Sequence, residues 1–352
     1  MNEVFKLIEN YGVVPVVKIE EVEHALPLAK ALCDGELEVA EVTYRTEHAA
    51  EAIKLMTENY PQMLIGAGTV TAVDQVKEAI EAGAKFIVSP CYVEEVVSYC
   101  VENDIPVIPS CNTPTEVQLA VDKGLKVLKY FPAEASGGVD FINSIAAVFP
   151  GVKFMPTGGI NPSNISKYLR NKNVIACGGS WMVKPELMKE GKFDEIRKLA
   201  RDAVFAVLNF DFAHFGINCD TKEEGYENIF KLADMFDLSL GNTPSSTYVG
   251  KDVEITKQPF KVRGPHGHIG YHTDNIQRAI FYFEKKGIEF NHESVKPYNG
   301  KVYVIYLKEL IAGFAIHIEE RNDHNPPKWE HRDDVKEFAK KELSGEIDFT
   351  YN

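Results

Sequence analysis

Eight short β-branched runs, each followed by a longer amphipathic segment, fill the first 210 residues, and this alternation constrains the fold more than any other feature of the chain. The runs are Val13 to Ile19, Leu37 to Tyr44, Met63 to Val70, Phe86 to Pro90, Pro106 to Ser110, Val127 to Pro132, Lys153 to Gly158 and Val174 to Gly179. Strands alternating with helices build parallel sheets, and eight such units in this length have the count and size of an α/β (β/α)8 TIM barrel. An open doubly wound sheet is the alternative. In a barrel the working residues sit at the C-terminal ends of the strands and in the loops that follow, so those ends are where chemistry is to be sought.

Lys129 interrupts an apolar strand between Leu128 and Tyr130. Its ammonium can snorkel outward past the helices. Alternatively, in an enclosed apolar pocket, the amine is neutral and able to attack a ketone as a Schiff-base nucleophile. Glu41, in the apolar second strand, is either half of a structural ion pair or a proton shuttle for imine formation and C–C cleavage. Arg45, four residues on, either starts a surface helix or clamps a substrate carboxylate through its planar fork. The Gly158-Gly159 and Gly178-Gly179-Ser180 turns follow the last two strands, where barrels build phosphate sites from backbone N–H groups.

Bulk composition narrows the partners. The chain is 45% hydrophobic and 26% charged, as in ordinary globular proteins. Its net charge of −14 opposes a nucleic-acid or anionic-membrane role, because both need a cationic face. Six cysteines without a C-x-x-C pair read as reduced thiols in a cytoplasmic protein. The N-terminus lacks the basic start and apolar run of a signal peptide, and no stretch reaches membrane-spanning length.

The strand-end segments Glu41-Val-Thr-Tyr-Arg45-Thr46, Gly66-Ala-Gly-Thr69-Val, Ile87-Val-Ser-Pro90, Lys129-Tyr-Phe131-Pro-Ala-Glu134, Pro156-Thr-Gly-Gly159-Ile and Gly178-Gly-Ser-Trp181 occur in order over residues 1 to 210. Together they resemble the 2-keto-3-deoxy-6-phosphogluconate and 4-hydroxy-2-oxoglutarate aldolases. The resemblance implies a class I aldolase that cleaves the phosphorylated substrate to pyruvate and glyceraldehyde 3-phosphate. It implies Lys129 as the Schiff-base lysine, Glu41 as general acid/base, and Arg45 with Thr69 as holders of the pyruvoyl carboxylate. Pro90 and Phe131 fall at the substrate pocket, and Gly158, Gly159, Gly179 and Ser180 at the phosphate-binding turns. It further implies a homotrimer whose aldolase chemistry needs no cofactor. Cys91 after Pro90 and Ser110 after Pro109 depart from the Ser-Pro-Gly and Pro-Gly of some members. These changes leave open a barrel that prefers an unphosphorylated or other 2-oxo-acid aldol.

Eight of the ten histidines fall after residue 210, which predicts different chemistry there. His214-Phe-Gly-Ile-Asn and His268-Ile-Gly-Tyr-His recur 54 residues apart, each leading into an amphipathic helix. Alternating strands follow, Tyr248 to Lys257 in the first copy, and Val302 to Leu307 and Gly313 to Glu320 in the second. The region reads as an α+β domain of paired βαβββ modules over residues 211–322, after an aldolase barrel over 1–210. Glu254 and His317 sit between apolar neighbours in the closing strands, so alternation can bring them to the face that carries His214 and His268. Such a set suits divalent Zn, Fe, Ni, Co or Mn. Each histidine alone has the plainer role of a hydrogen-bonded core or surface residue.

This duplicated arrangement resembles the vicinal oxygen chelate superfamily, which includes glyoxalase-like proteins. The resemblance implies a metal held by His214, Glu254, His268 and His317, the last standing where many members have glutamate. Three roles compete for the module: a metalloenzyme, a metal-free sensor of sugar acids, and a packing element. Residues 323–352, with Pro326-Pro327 and a charged run from His331 to Lys341, read as a charged tail with a solvated accessory helix.

Overall fold

The structure, a computed structural model, describes residues 2–243, 246–257, 264–298, 300–321, 329–330 and 332–347. The chain divides into two units, Met1–Leu208 and Asn209–Asn352.

In the first unit the eight β-branched runs form β1 (Val13–Val17), β2 (Val39–Thr43), β3 (Leu64–Gly68), β4 (Phe86–Ser89), β5 (Val107–Pro109), β6 (Val127–Tyr130), β7 (Lys153–Pro156) and β8 (Cys177–Gly179). All pair in parallel, in the order β5-β4-β3-β2-β1-β8, with β6 beside β7. Single bridges from Ser110 to Lys129 and from Thr157 to Gly178 carry the pairing onward from β5 to β6 and from β7 to β8. The result is a curled parallel sheet. Every residue of β1, β2 and β3 is buried, because helices cover one face and side chains fill the other. Among the described residues of this unit, the buried polar and charged side chains are Glu41, Thr43, Ser89, Ser110, Lys129 and Thr157, and each lies on a strand or directly after one. Polar groups thus enter this core only where strands deliver them.

Among the described residues, the second unit is built on one sheet of nine strands. They are β9 (Asp211–Ile217), β10 (Leu240–Asn242), β11 (Ser246–Val249), β12 (Val253–Thr256), β13 (Gly267–Thr273), β14 (Phe290–Tyr298), β15 (Lys301–Ile311), β16 (Phe314–Glu320) and β17 (Trp329–Glu330). The order is β14-β15-β16-β13-β9-β12-β11-β10-β17, with β9 and β13 antiparallel at the centre. Each central strand is followed by a helix, Lys222–Phe236 or Ile276–Lys285. Thr221 and Asn275 start these helices by accepting the N–H of Glu224 and Arg278. The expected single run from Tyr248 to Lys257 is instead two antiparallel strands, β11 and β12, because Gly250 turns the chain at φ 55°. The strand β14 supplies the third strand after the second helix, beyond the runs Val302 to Leu307 and Gly313 to Glu320 read from the sequence.

The expected solvated tail is a second correction. Its Pro326-Pro327 and His331 lie outside the described residues, as does the boundary at 322. However, β17 pairs with β10, and the helix Arg332–Ser344 buries Val335 and Ala339 against Tyr226, Ile229, Leu240 and Ile255. The charge-rich sequence hides this face, since only one side of the helix needs to be apolar. Glu342, on the same helix, is buried and accepts hydrogen bonds from the Tyr226 hydroxyl, from Lys222 at 3.0 Å and from Lys257 at 3.1 Å. Lys257 is itself inaccessible, its ammonium 4.8 Å from the centre of the Tyr226 ring. Burial draws the Glu342 carboxyl upward, but Tyr226, Lys222 and Lys257 outweigh it and hold the group below its ordinary range.

Removing one member of a buried charge pair leaves the other uncompensated, so Glu342→Ala should destabilise the second unit by about 3–5 kcal/mol. Faster hydrogen exchange through β12 and the helix Lys222–Phe236 reads the effect. A double Glu342→Met, Lys257→Met variant should come close to neutral. The folded carboxyl is held below its unfolded value, so its contribution is complete above about pH 4.3 and is lost as the pH falls through the folded value. In Glu342→Ala that acid-induced loss should shrink.

Candidate functional site

Lys129 lies on β6, only 5% exposed, and does not snorkel outward. Its ammonium is 3.0 Å from Oε1 and 3.3 Å from Oε2 of Glu41, which β2 places wholly inside the sheet. The approach depends on Gly68 of β3, where a Cβ would lie 2.3 Å from Glu41 Oε1. The Phe131 ring centre lies 5.8 Å from Lys129 Nζ. Phe131 is held through its backbone: its N–H donates to Asn112 Oδ1 at 3.2 Å, and its carbonyl accepts from Asn112 Nδ2. Asn112 is steadied in turn by the Glu116 carboxylate, which accepts the N–H groups of Asn112 and Thr113 at 2.9 Å.

Arg45, after β2, points its Nε to within 3.5 Å of Thr69 Oγ1, after β3. Thr69 adopts φ 58°, a left-handed conformation unusual for a β-branched residue and typical of constrained sites. Pro90 directly follows β4. Gly158 and Gly159 follow β7 at φ 96° and 81°, while Gly179 ends β8 and Ser180 is exposed beyond it. The bridge between Thr157 and Gly178 makes those two strand ends neighbours. A Cβ at Gly179 would lie 1.9 Å from the Trp181 ring, so the backbone there is bare of necessity.

A buried lysine and carboxylate in contact, an arginine beside a threonine, and two glycine turns on adjoining strand ends form one chemical ensemble. The KDPG and KHG aldolase family model matches residues 4–199. The chain belongs to that family. The KHG/KDPG aldolase of Escherichia coli K12 is 47% identical over 192 residues, 54% of this chain and 90% of that one. The 2-dehydro-3-deoxy-phosphogluconate aldolase of Treponema pallidum is 41% identical over 58% of this chain and 97% of its own length. Among solved structures, the KDPG aldolase of Legionella pneumophila, with pyruvate captured as a covalent carbinolamine, is 39% identical. It has a TM-score of 0.56 and covers 57% of this chain and 98% of that one.

The second unit holds a separate cluster. In the central pair of strands, His268 lies opposite Gly216 and His214 opposite Gly270. Parallel pairing sets Gly270 beside His317, and β12 sets Glu254 beside Gly216. One Glu254 oxygen lies 3.1 Å from His214 Nε2 and 3.2 Å from His268 Nε2, and those two nitrogens are 3.2 Å apart. One ligand-type nitrogen from each of His214, His268 and His317 lies within 4.8 Å of the others. The Ser246 hydroxyl donates to the other Glu254 oxygen. Burial above all holds the His317 imidazole down at about 4, against the pull of Glu319, so it is a neutral base at neutral pH.

Sequence reasoning missed several residues of these clusters. Glu319 lies two residues after His317 on the same strand face, with its carboxylate 3.7 Å from His214 Nδ1, 3.7 Å from His317 Nε2 and 3.0 Å from His272 Nε2. Period-two alternation was signal enough to find it. Gly216 and Gly270 were also legible, as the His-x-Gly common to both copies. A Cβ on Gly216 would lie 1.8 Å from His268 Cε1, and one on Gly270 2.6 Å from His317 Nε2. Nothing in the sequence marks Asn112.

Alanine at either glycine forces an imidazole aside, so Gly216→Ala and Gly270→Ala should each cost about 1–3 kcal/mol. A lowered urea midpoint for the second unit checks this, and an unchanged midpoint would show that the rings are not packed over those backbones.

Proposed function

We propose that the first unit is a class I Schiff-base aldolase that cleaves 2-keto-3-deoxy-6-phosphogluconate to pyruvate and glyceraldehyde 3-phosphate. The observation that carries this reading is the buried Lys129 amine 3.0 Å from Glu41 Oε1. The names borne by relatives 39–47% identical and the pyruvate adduct of the Legionella enzyme support it. The eight parallel strands and their two bridging pairs support a closed (β/α)8 barrel as its frame.

Proton transfer from Lys129 to Glu41 leaves the amine lone pair free to add to the C2 ketone. Glu41 then returns the proton to the carbinolamine hydroxyl, which departs as water and leaves a protonated imine. As the C3–C4 bond breaks, Glu41 takes the C4 hydroxyl proton and the bonding electrons flow into the imine to give an enamine. Glyceraldehyde 3-phosphate leaves, Glu41 protonates C3, and water releases pyruvate. Arg45 and Thr69 hold the carboxylate, Pro90 and Phe131 wall the pyruvate end, and Gly158, Gly159, Gly179 and Ser180 take the phosphate, whose binding energy is remote from the reacting bond. Activity on 4-hydroxy-2-oxoglutarate uses the same lysine without the phosphate turns.

Borohydride reduction in the presence of pyruvate should add mass to the peptide containing Lys129 and inactivate the enzyme. Labelling at another lysine would refute the mechanism. Glu41→Gln should slow turnover by about 100-fold or more.

For the second unit we infer a glyoxalase-like pair of βαβββ modules. The matched order of strand, helix and three strands on either side of the β9–β13 pair supports this. The donors of His214, Glu254, His268 and His317 fit one divalent ion of the Zn, Fe, Ni, Co or Mn class, because three imidazoles and a carboxylate already converge, and His317 Nδ1 is buried without a hydrogen-bond partner. Bound there, the ion supplies Lewis-acid polarisation of a substrate oxygen. Protein purified without added metal should carry about one equivalent per chain. A double His214→Ala, His268→Ala variant should lose the ion and keep its aldolase turnover. No metal in the parent, with the double variant melting like it, would favour the metal-free sensor reading.

A further inference from the structure

Tyr168, in the helix Ile165–Leu169, is wholly buried, and its hydroxyl donates to the Glu134 carboxylate. Burial first, then the hydrogen bond and charge of Glu134, push the phenol well above its ordinary value, so it remains a donor across the working pH range. Glu134 opens the short turn Glu134–Ser136 that follows β6. Its own N–H donates to the Gly158 carbonyl at 3.2 Å, and its stem lies on Gly159, where a Cβ would come within 2.6 Å of Glu134 Cγ and 2.7 Å of Glu134 Cβ. Position 159 is therefore glycine for two reasons: its φ of 81° and the glutamate stem above it.

The Glu134 carboxylate turns back to Tyr168. Released from that donor, it would be free to rotate about the stem packed on Gly159 to a forward position over the glycine turn. In the forward position it would compete with a phosphate for the same donors and repel it. The Asn164 side chain, which donates to the Gly159 carbonyl at 3.0 Å, and Asn161, which donates to it at 3.2 Å, grip the turn from the other side. Tyr168 is thus the hydroxyl that holds the Glu134 carboxylate in its present direction.

We propose that the Tyr168–Glu134 hydrogen bond keeps the Gly158–Gly159 turn open as a phosphate cradle and so sets the preference for a phosphorylated 2-oxo acid over an unphosphorylated one. The inference rests on the phosphate reading of that turn given above. Tyr168 touches no substrate and acts as a positioning residue. Glu134 acts by being held back.

Steady-state kinetics test this on the full chain, with pyruvate release measured from 2-keto-3-deoxy-6-phosphogluconate and from 4-hydroxy-2-oxoglutarate. Tyr168→Phe should lose about tenfold in kcat/KM on the phosphorylated substrate, through KM, in line with one hydrogen bond to a charged group. Its constant on the unphosphorylated substrate should be unchanged, and inhibition by inorganic phosphate should weaken in step with the KM effect. Glu134→Asp keeps the charge but shortens the reach to Tyr168, and should reproduce the loss without disturbing the core, which covers the case of a poorly folded Tyr168→Phe. Glu134→Gln should keep the preference, and the double Tyr168→Phe, Glu134→Gln variant should regain it, because a neutral amide does not oppose phosphate. Equal losses on both substrates, an unchanged preference in both Tyr168→Phe and Glu134→Asp, or a double variant that is not rescued would overturn the inference while leaving the cradle. A parent enzyme with equal constants for the two substrates would overturn the cradle reading itself.

Discussion

An ammonium buried in an apolar sheet is tolerated only if a carboxylate meets it, and the first unit is arranged around that requirement. Lys129 and Glu41 stand 88 residues apart in sequence and reach each other because β2 and β6 both point side chains to the inside of the curled sheet. The neighbouring strand β3 gives up its side chain at Gly68 so that Glu41 can extend. The Asn112 amide then fixes the backbone of Phe131, two residues beyond the lysine, from which the ring extends near the lysine. Stability and reactivity share this contact: the same short distance that compensates the charge offers a path for the proton that must leave before the amine can react.

The second unit solves a related problem with different means. Four ligand-type side chains approach one another across the centre of a sheet, where neighbouring strands normally fill the space with Cβ atoms. Gly216 and Gly270 vacate that space, and the antiparallel register of β9 and β13 sets each glycine opposite the histidine of the other copy. One duplicated His-x-Gly therefore supplies both the rings and the room for them. Glu254 and Glu319 bring negative charge to the cluster, so a cation placed among them would find compensation already present.

Much of this was legible in the sequence because it depends on local pattern. The eight strands of the first unit were visible as β-branched runs, and Lys129 and Glu41 stood out because charge in such a run demands an explanation. The repeat around His214 and His268 placed Glu254 and His317 by alternation alone. What escaped depends on contacts distant in sequence. The turn that splits Tyr248 to Lys257 into two strands is the exception, since Gly250-Lys-Asp252 marks it locally. The last helix looked solvated because its charged residues outnumber the few that are buried, and only the packing of Val335 and Ala339 against Tyr226 shows its inner face. The partnership of Tyr168 with Glu134, 34 residues earlier, has no sequence signature, since a tyrosine in an amphipathic helix is ordinary.

The buried charges also set an order of events during synthesis. Lys129 and Glu41 both belong to the first unit, so their pair can close while residues beyond 208 are still being added. Lys257 waits longer, because Glu342 is made 85 residues after it. Until that glutamate leaves the ribosome, Lys257 lacks the carboxylate that meets its ammonium at 3.1 Å in the finished unit. A chain released before Glu342 would carry a complete first unit and a second unit that lacks the carboxylate facing Lys257.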